Sequence, residues 1–197
     1  MHGVYCIDAK TSYYKVDKTL QVLKDLLIQK EEDPSFVCDE LRVMLWHKDP
    51  ETEEYWNERM NINLRHYFFT VQSVREAMIK NKSGVIVNIG SASWMIGQGG
   101  MAAYTAAKSG VVGLTRSFAR DLGEYNIRVN SVVPGWTITE RQIEKWLTPE
   151  SEADMMKKQC IKRRLMPSDI SKAVLFFSSD QSSGCTNQSY VVDNGWL

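Results

Sequence analysis

The sequence predicts an α/β fold, a parallel sheet with helices on both faces. Two β-branched apolar runs, VIVNI at 85–89 and IRVNSVV at 127–133, read as short strands buried on both sides. Long stretches with apolar residues every three to four positions precede and separate them, and the connections are short. Strands that alternate with helices in this way pair in parallel.

The character of the chain changes near residue 50, so the reading divides it into an atypical segment, 1–50, and a main region, 51–197. In the first part, Val16, Leu20, Leu23 and Leu27 lie at helical spacing within residues 16–30. A short helix or strand, CDELRVMLW at 38–46, follows the Asp33-Pro34-Ser35 break. GVYCID at 3–8 reads as a strand ending in Asp8. From Thr52 to about Ile79 one long helical pattern runs through a crowded aromatic stretch, Tyr67 to Phe69, and Lys82, Ser83 and Gly84 close it. After VIVNI, the small-residue segment GSASWMIGQGGMAA leads into a helix from about Ala102 to Tyr125. IRVNSVV ends at Pro134-Gly135. A polar excursion follows, with helices over TPESEADMMKKQC (148–160) and SDISKAVLFFSSD (168–180), and then a last strand, SYVVD (189–193).

The composition narrows the function. The 197 residues carry 24 basic and 24 acidic side chains, a balance that gives no reason to expect a nucleic-acid or anionic-membrane partner. Apolar residues are interrupted by charge throughout, so no membrane span is expected, and MHGVYCIDAK lacks the pattern of a secretory signal. A cytoplasmic location is the default. Cys6, Cys38, Cys160 and Cys185 are widely spaced, which points to buried or half-buried thiols and to no metal site.

Chemistry is carried by Tyr104 and Lys108, four apart on one helical face. An ammonium beside a phenol favours its ionised form, and a base of that kind suits oxidation of a hydroxyl. Such a pair is common by chance, but its surroundings add to it. Ser91 follows VIVNIG directly, at the carboxyl end of a parallel strand, where open α/β sheets bind ligands. A serine there could hold a substrate oxygen while Tyr104 takes its proton. PGWTIT, after the next strand, faces the same crevice.

The order NINL, VIVNIGSAS, YTAAK, IRVNSVVPGWTIT and YVVDNGW resembles the short-chain dehydrogenase/reductase family over roughly 140 residues. The resemblance implies a Rossmann-like sheet, here truncated at its amino-terminal side, and an NAD- or NADP-dependent oxidoreductase. It matches Asn63, Ser91, Tyr104 and Lys108 to the family's catalytic tetrad. There the tyrosine is the acid/base and the serine fixes the substrate oxygen. The lysine assists the tyrosine and holds the nicotinamide ribose, and the asparagine's helix distortion holds a relay water. Asn88, Tyr104, Lys108, Pro134, Gly135, Thr137 and Thr139 match positions on the cofactor side, although Thr137 stands where the family usually has a branched apolar residue. Ser93 is the rival to Ser91. Ser93, Trp94, Gln98 and Trp136 sit in segments that would border the substrate. YWNERMNINLRH, SASW, the TERQIEKWLTPE to QCIKRRLMP stretch and CTNQSYVVDNGW are similar to bacterial aldose 1-dehydrogenases, which act on D-xylose, L-arabinose or D-galactose type sugars. A 3-oxoacyl reductase-like member is an alternative. The resemblance also implies a homodimer or homotetramer through the helices at about 54–80 and 102–125.

The family's amino-terminal half carries a TGxxxGxG loop and an NNAG motif, and neither occurs here. Gly3 is the single glycine before Gly84, so no glycine-rich turn precedes the main region. Asp8 at the end of GVYCID is only superficially like a ribose-holding acid. Three readings therefore stay open: a truncated gene product, a dinucleotide binder of another arrangement, or a non-catalytic scaffold that acts in assembly. The loop bears on turnover, because a hydride acceptor that is not held cannot be positioned.

Overall fold

The computed structural model describes residues 52–197. The expected elements at 3–8, 16–30 and 38–46, together with Asp8, Cys6 and Cys38, lie outside the described residues.

Three parallel strands, β1 (Gly84–Ile89), β2 (Ile127–Pro134) and β3 (Ser189–Val192), form a sheet in the order β1-β2-β3. Gly84 is level with Ile127, and Ser131 with Ser189, so the carboxyl ends of the strands come together at one edge. The expected helix from Thr52 is α1 (Glu53–Met60), a π turn (Asn61–Arg65) and α2 (His66–Asn81) in unbroken succession. Thr52 caps it: its hydroxyl accepts from the Tyr55 N–H. Lys82 ends it in the left-handed conformation, and its N–H bonds to the helix's last free carbonyls.

The long helix α3 (Ala102–Leu122) crosses the sheet, and a 3-10 turn, Gly123–Tyr125, completes the expected span to Tyr125. Its buried residues, Ala103, Ala107, Lys108, Val111, Thr115, Ala119 and Leu122, recur at helical spacing and so make one stripe. The lower part of that stripe packs with Val71 of α2 and Ile127 and Val129 of β2 into a core that also takes in Ile86 and Phe118. Residues alternate across a strand. Arg128 and Asn130 therefore face the other way, where Arg128 donates to Ser182 Oγ at 2.9 Å, Ser179 O at 3.1 Å and Cys185 O at 3.2 Å. These partners lie just beyond α6 (Pro167–Ser178), which covers that second face.

Between β2 and α6 the chain forms α4 (Glu140–Lys145) and α5 (Pro149–Lys158). The sequence reading has no helix at 140–145. Thr139 caps α4 by accepting from Gln142 N, and Thr148 and Ser151 cap α5 reciprocally. Cys185 is half-buried, as expected, but Cys160 is exposed, because it follows the end of α5 in a surface turn.

Candidate active site

The π turn determines what reaches the sheet edge. Within it Asn63 Nδ2 donates to Arg59 O at 3.0 Å, one turn back along the widened ladder. The next residue, Leu64, lies against Gly110 of α3. A β-carbon at Gly110 would stand 3.0 Å from a Leu64 methyl, so the close approach of the two helices rests on that glycine. Tyr67, one turn beyond Asn63, is thereby carried to the end of β1.

Lys108 is 9% exposed. Its Nζ donates to Tyr67 Oη and to Ile89 O, both at 3.2 Å, and Tyr67 Oη itself donates to Ile89 O at 2.7 Å. The ammonium lies 5.3 Å from the Tyr67 ring centroid and 5.9 Å from that of Tyr104, so it sits between two phenol rings. Burial pulls Lys108 below its ordinary value. Burial first, and then the nearby Tyr104, push Tyr67 above its own. Tyr67 is the residue that sequence reasoning did not single out. Its signal was present, a tyrosine four positions after Asn63 in a helical stretch, but it was read as one of a crowd of aromatic residues.

Tyr104 is half-buried in the first turn of α3, one turn before Lys108. Ser91 follows β1 and caps the 3-10 turn Ala92–Trp94. Its Oγ donates to Ser93 Oγ at 3.0 Å and accepts from Ser93 N at 3.3 Å. Ser91 is half-buried whereas Ser93 is 7% exposed. The rival serine is thus the more buried of the two and is hydrogen-bonded to Ser91. Asn63, Ser91, Tyr104 and Lys108 all belong to segments at or beside the carboxyl end of β1.

The other expected residues divide. Pro134 ends β2, and Gly135 N–H donates to Val192 O at 2.9 Å. A β-carbon on Gly135 would lie 2.6 Å from Asp193 Cβ, so only glycine fits there. Thr137 bridges to Leu165 and its hydroxyl donates to Gly135 O, while Thr139 is engaged as the α4 cap. Trp136 Nε1 donates to Gln142 Oε1 at 2.6 Å and ties the loop to α4. Asn88 is 4% exposed, and its Nδ2 donates to Thr115 Oγ1 at 2.9 Å, which makes it a tie between β1 and α3. Trp94 and Gln98 line a groove of about 330 Å³ along Ala102, Thr105, Ala106 and Ser109. At 100° per residue, that face of α3 is turned away from Tyr104 and Lys108.

YVVDNGW has a structural task. The Asp193 carboxylate accepts from the N–H groups of Gly195 (2.8 Å) and Leu197 (2.9 Å). Asn194 O and Gly195 O accept from Ile161 N and Cys160 N. The 159–165 segment held in this way reaches back through Leu165 O, which accepts from Ile138 N at 2.8 Å, and so supports PGWTIT.

The fit of NAD(P) can be tested on these side chains. An ammonium has three donors. Two are taken by Tyr67 and Ile89, and the third remains for the crevice beside Tyr104, where a ribose hydroxyl could accept it. The residues fit the nicotinamide ribose end of a dinucleotide. Among the described residues the TGxxxGxG pattern that would meet the pyrophosphate does not occur. No group of three or more His, Cys, Asp or Glu placed to hold a metal occurs among the described residues, nor does a helix long and apolar enough to cross a membrane.

A parallel sheet with helices on both faces and a buried lysine beside a tyrosine at its carboxyl edge defines a Rossmann-like class of domain. A family model described as Enoyl-(Acyl carrier protein) reductase matches residues 48–197, and the chain belongs to the short-chain dehydrogenase/reductase family. D-xylose 1-dehydrogenase of Caulobacter vibrioides is 47% identical over 145 residues, covering 74% of this chain and 58% of that protein. The Rhizobium meliloti protein named "Probable galactose dehydrogenase GalD" is 44% identical over 144 residues, 73% of this chain and 56% of its own length. The structure of 4-hydroxyisoleucine dehydrogenase complexed with NADH superposes with a TM-score of 0.69 at 29% identity, over 74% of this chain and 60% of that one. The chain spans less than three fifths of the length of the curated relatives it matches.

Proposed function

We propose that this chain carries the catalytic half of an NAD(P)-dependent dehydrogenase that oxidises a secondary or anomeric hydroxyl, with sugars as its substrate class. The observation that carries the reading is the buried Lys108 ammonium held against Tyr67 and Ile89, 5.9 Å from the Tyr104 ring centroid. Bound NAD(P) supplies the hydride acceptor. Ser91, oriented by Ser93, donates to the substrate oxygen. Tyr104 takes the hydroxyl proton as the carbon-bound hydrogen leaves as hydride, so an alcohol becomes a carbonyl, or an anomeric hydroxyl a lactone. Lys108 would hold the ribose hydroxyls. Pro134, Gly135, Thr137 and Thr139 would border the nicotinamide chiefly through backbone groups, since the Thr137 and Thr139 hydroxyls are engaged within the loop. A sugar is favoured by the identities of 47% and 44% to relatives named as xylose and galactose dehydrogenases.

The same reading includes self-association. Trp56, Ile62, Phe68 and Phe69 on α1, the π turn and α2 are all exposed, apolar surface that a second copy could cover. A cytoplasmic location goes with it. The test is calorimetric titration of the purified chain with NAD and NADP, with a sugar panel followed by absorbance of the reduced cofactor. Reduction that disappears in Tyr104→Phe supports the reading. No cofactor binding at millimolar concentration by folded protein overturns it.

A further inference from the structure

Tyr67 has an ordinary explanation that is incomplete. Gly90 N–H donates to Val132 O across the β1-β2 ladder. Ile89 O, one residue earlier, therefore points away from β2, where the described sheet has no strand to answer it. A hydroxyl donating to that carbonyl at 2.7 Å satisfies a strand end, and a merely structural tyrosine would do no more. Here the same oxygen also accepts from Lys108 Nζ, and Ile89 O accepts from both groups, so the three close a triangle around the ammonium.

We propose that Tyr67 is a positioning residue for the Tyr104–Lys108 pair: its hydroxyl, anchored on Ile89 O, aims the Lys108 ammonium at Tyr104 and keeps it charged although it is buried. The proposal rests on the function proposed above for its catalytic meaning but not for its physical content. Among the described residues no carboxylate pairs with Lys108, so its charge is held by one phenol, one carbonyl and two ring faces. The titratable groups around it are Tyr67 from α2, Tyr104 from α3 itself, and, behind Tyr67, His66, whose ring centroid lies 4.0 Å from the Tyr67 ring. Burial drives Lys108 toward its neutral form, and the two hydrogen bonds it donates oppose that. Tyr67 is itself pushed upward, so it stays a protonated phenol that donates to Ile89 and accepts from Lys108. Two phenols flank one ammonium in environments of different kind. One is fastened to the backbone as a holder, which leaves the other to exchange protons.

The test uses the full chain without cofactor. Lysine carrying ¹³C at Cε is incorporated, the Lys108 resonance is assigned with Lys108→Met, and its titration is followed by NMR in the unmodified chain and in Tyr67→Phe. Loss of a charge-assisted hydrogen bond in a buried place should lower the Lys108 titration point by about one unit. A titration point unchanged within about 0.2 units, in protein whose circular dichroism is unchanged, would overturn the proposal, since one unit corresponds to a tenfold change in equilibrium. Tyr67→Met removes the hydroxyl differently and is read by the same criterion if the phenylalanine variant does not fold. Where the chain turns over, the limb of the kcat profile that follows Lys108 should move to lower pH in Tyr67→Phe, in step with the NMR titration point. Absence of turnover overturns the proposed function, while the NMR titration still decides the role of Tyr67.

Discussion

Replacing Thr115 with valine removes one oxygen and adds one methyl at a position that is 0% exposed. The shape is preserved, so no cavity opens. The lost hydroxyl had two roles. It donated to Val111 O at 2.8 Å, a carbonyl that keeps its helical N–H partner, and it accepted from Asn88 Nδ2 at 2.9 Å. Asn88 is 4% exposed, so its amide is left with a donor that neither protein nor water answers. A buried polar group in that condition costs about 1–3 kcal/mol, and the added methyl recovers less than about 1 kcal/mol. The expected net loss is about 1–2 kcal/mol, a fall in Tm of roughly 2–8 °C for a domain of this size. Thermal and urea unfolding of the single variants and of Asn88→Leu/Thr115→Val form a double-mutant cycle. The double variant should recover much of the loss, with a coupling of at least about 1 kcal/mol, because both partners become apolar. A Thr115→Val protein within about 0.3 kcal/mol of the parent, or an additive cycle, would refute the claim that this bond ties β1 to α3.

Other substitutions test other parts of the fold. Gly113→Ala on the exposed side of α3, where a β-carbon meets nothing within 4 Å, should stabilise the chain by about 0.5–1 kcal/mol in thermal unfolding, the helix-propensity difference. Gly135→Ala places a β-carbon 2.6 Å from Asp193 Cβ and 2.8 Å from its Cα. Backbone must move, and chemical denaturation should register a loss of about 1–3 kcal/mol. Asp169 is held at about 2 by the Arg163 guanidinium, which donates to it at 2.6 and 3.1 Å, and by the Met166 N–H. A carboxyl depressed in the folded state contributes stability that is present above its unfolded value, near pH 4, and is lost as pH falls through about 2. Asp169→Asn should therefore flatten the acid limb of a stability profile across that window and lower stability at neutral pH.

What the sequence made legible depended on pattern length. VIVNI and IRVNSVV are β-branched runs too apolar for any exposed element, and the strands Gly84–Ile89 and Ile127–Pro134 coincide with them to within a residue at either end. The helix over 102–125 was equally plain, because its buried stripe runs for six turns. Only six residues form α4, with Ile143 alone among charged and amide side chains, so periodicity had nothing to count. The Thr139-x-x-Gln142 cap could have revealed it, but Thr139 was read toward the cofactor. The π turn is invisible to periodicity, since one widened turn barely shifts the apolar stripe. Only the family resemblance placed a distortion at Asn63. In the site, Tyr104 and Lys108 were readable because four residues on a helix fix a common face. The directions of the Asn88 and Trp94 side chains were not, since a motif records that a residue is present and not which way its side chain turns. Tyr67 acts through a contact with Lys108 41 positions away, and no local pattern encodes that.

The proposed nicotinamide-dependent oxidation by Tyr104, beside Lys108, is open to direct measurement. It is tested most directly by titrating NAD and NADP into the full chain and into Tyr104→Phe, then adding D-xylose and D-galactose and following the reduced nicotinamide. Both proteins should bind one of the cofactors, and reduction should proceed with a sugar in the parent and fall by at least about a hundredfold in the variant, the lower bound for removal of a positioned acid/base. Reduction that persists in Tyr104→Phe, or folded parent protein that binds neither dinucleotide at millimolar concentration, would contradict it.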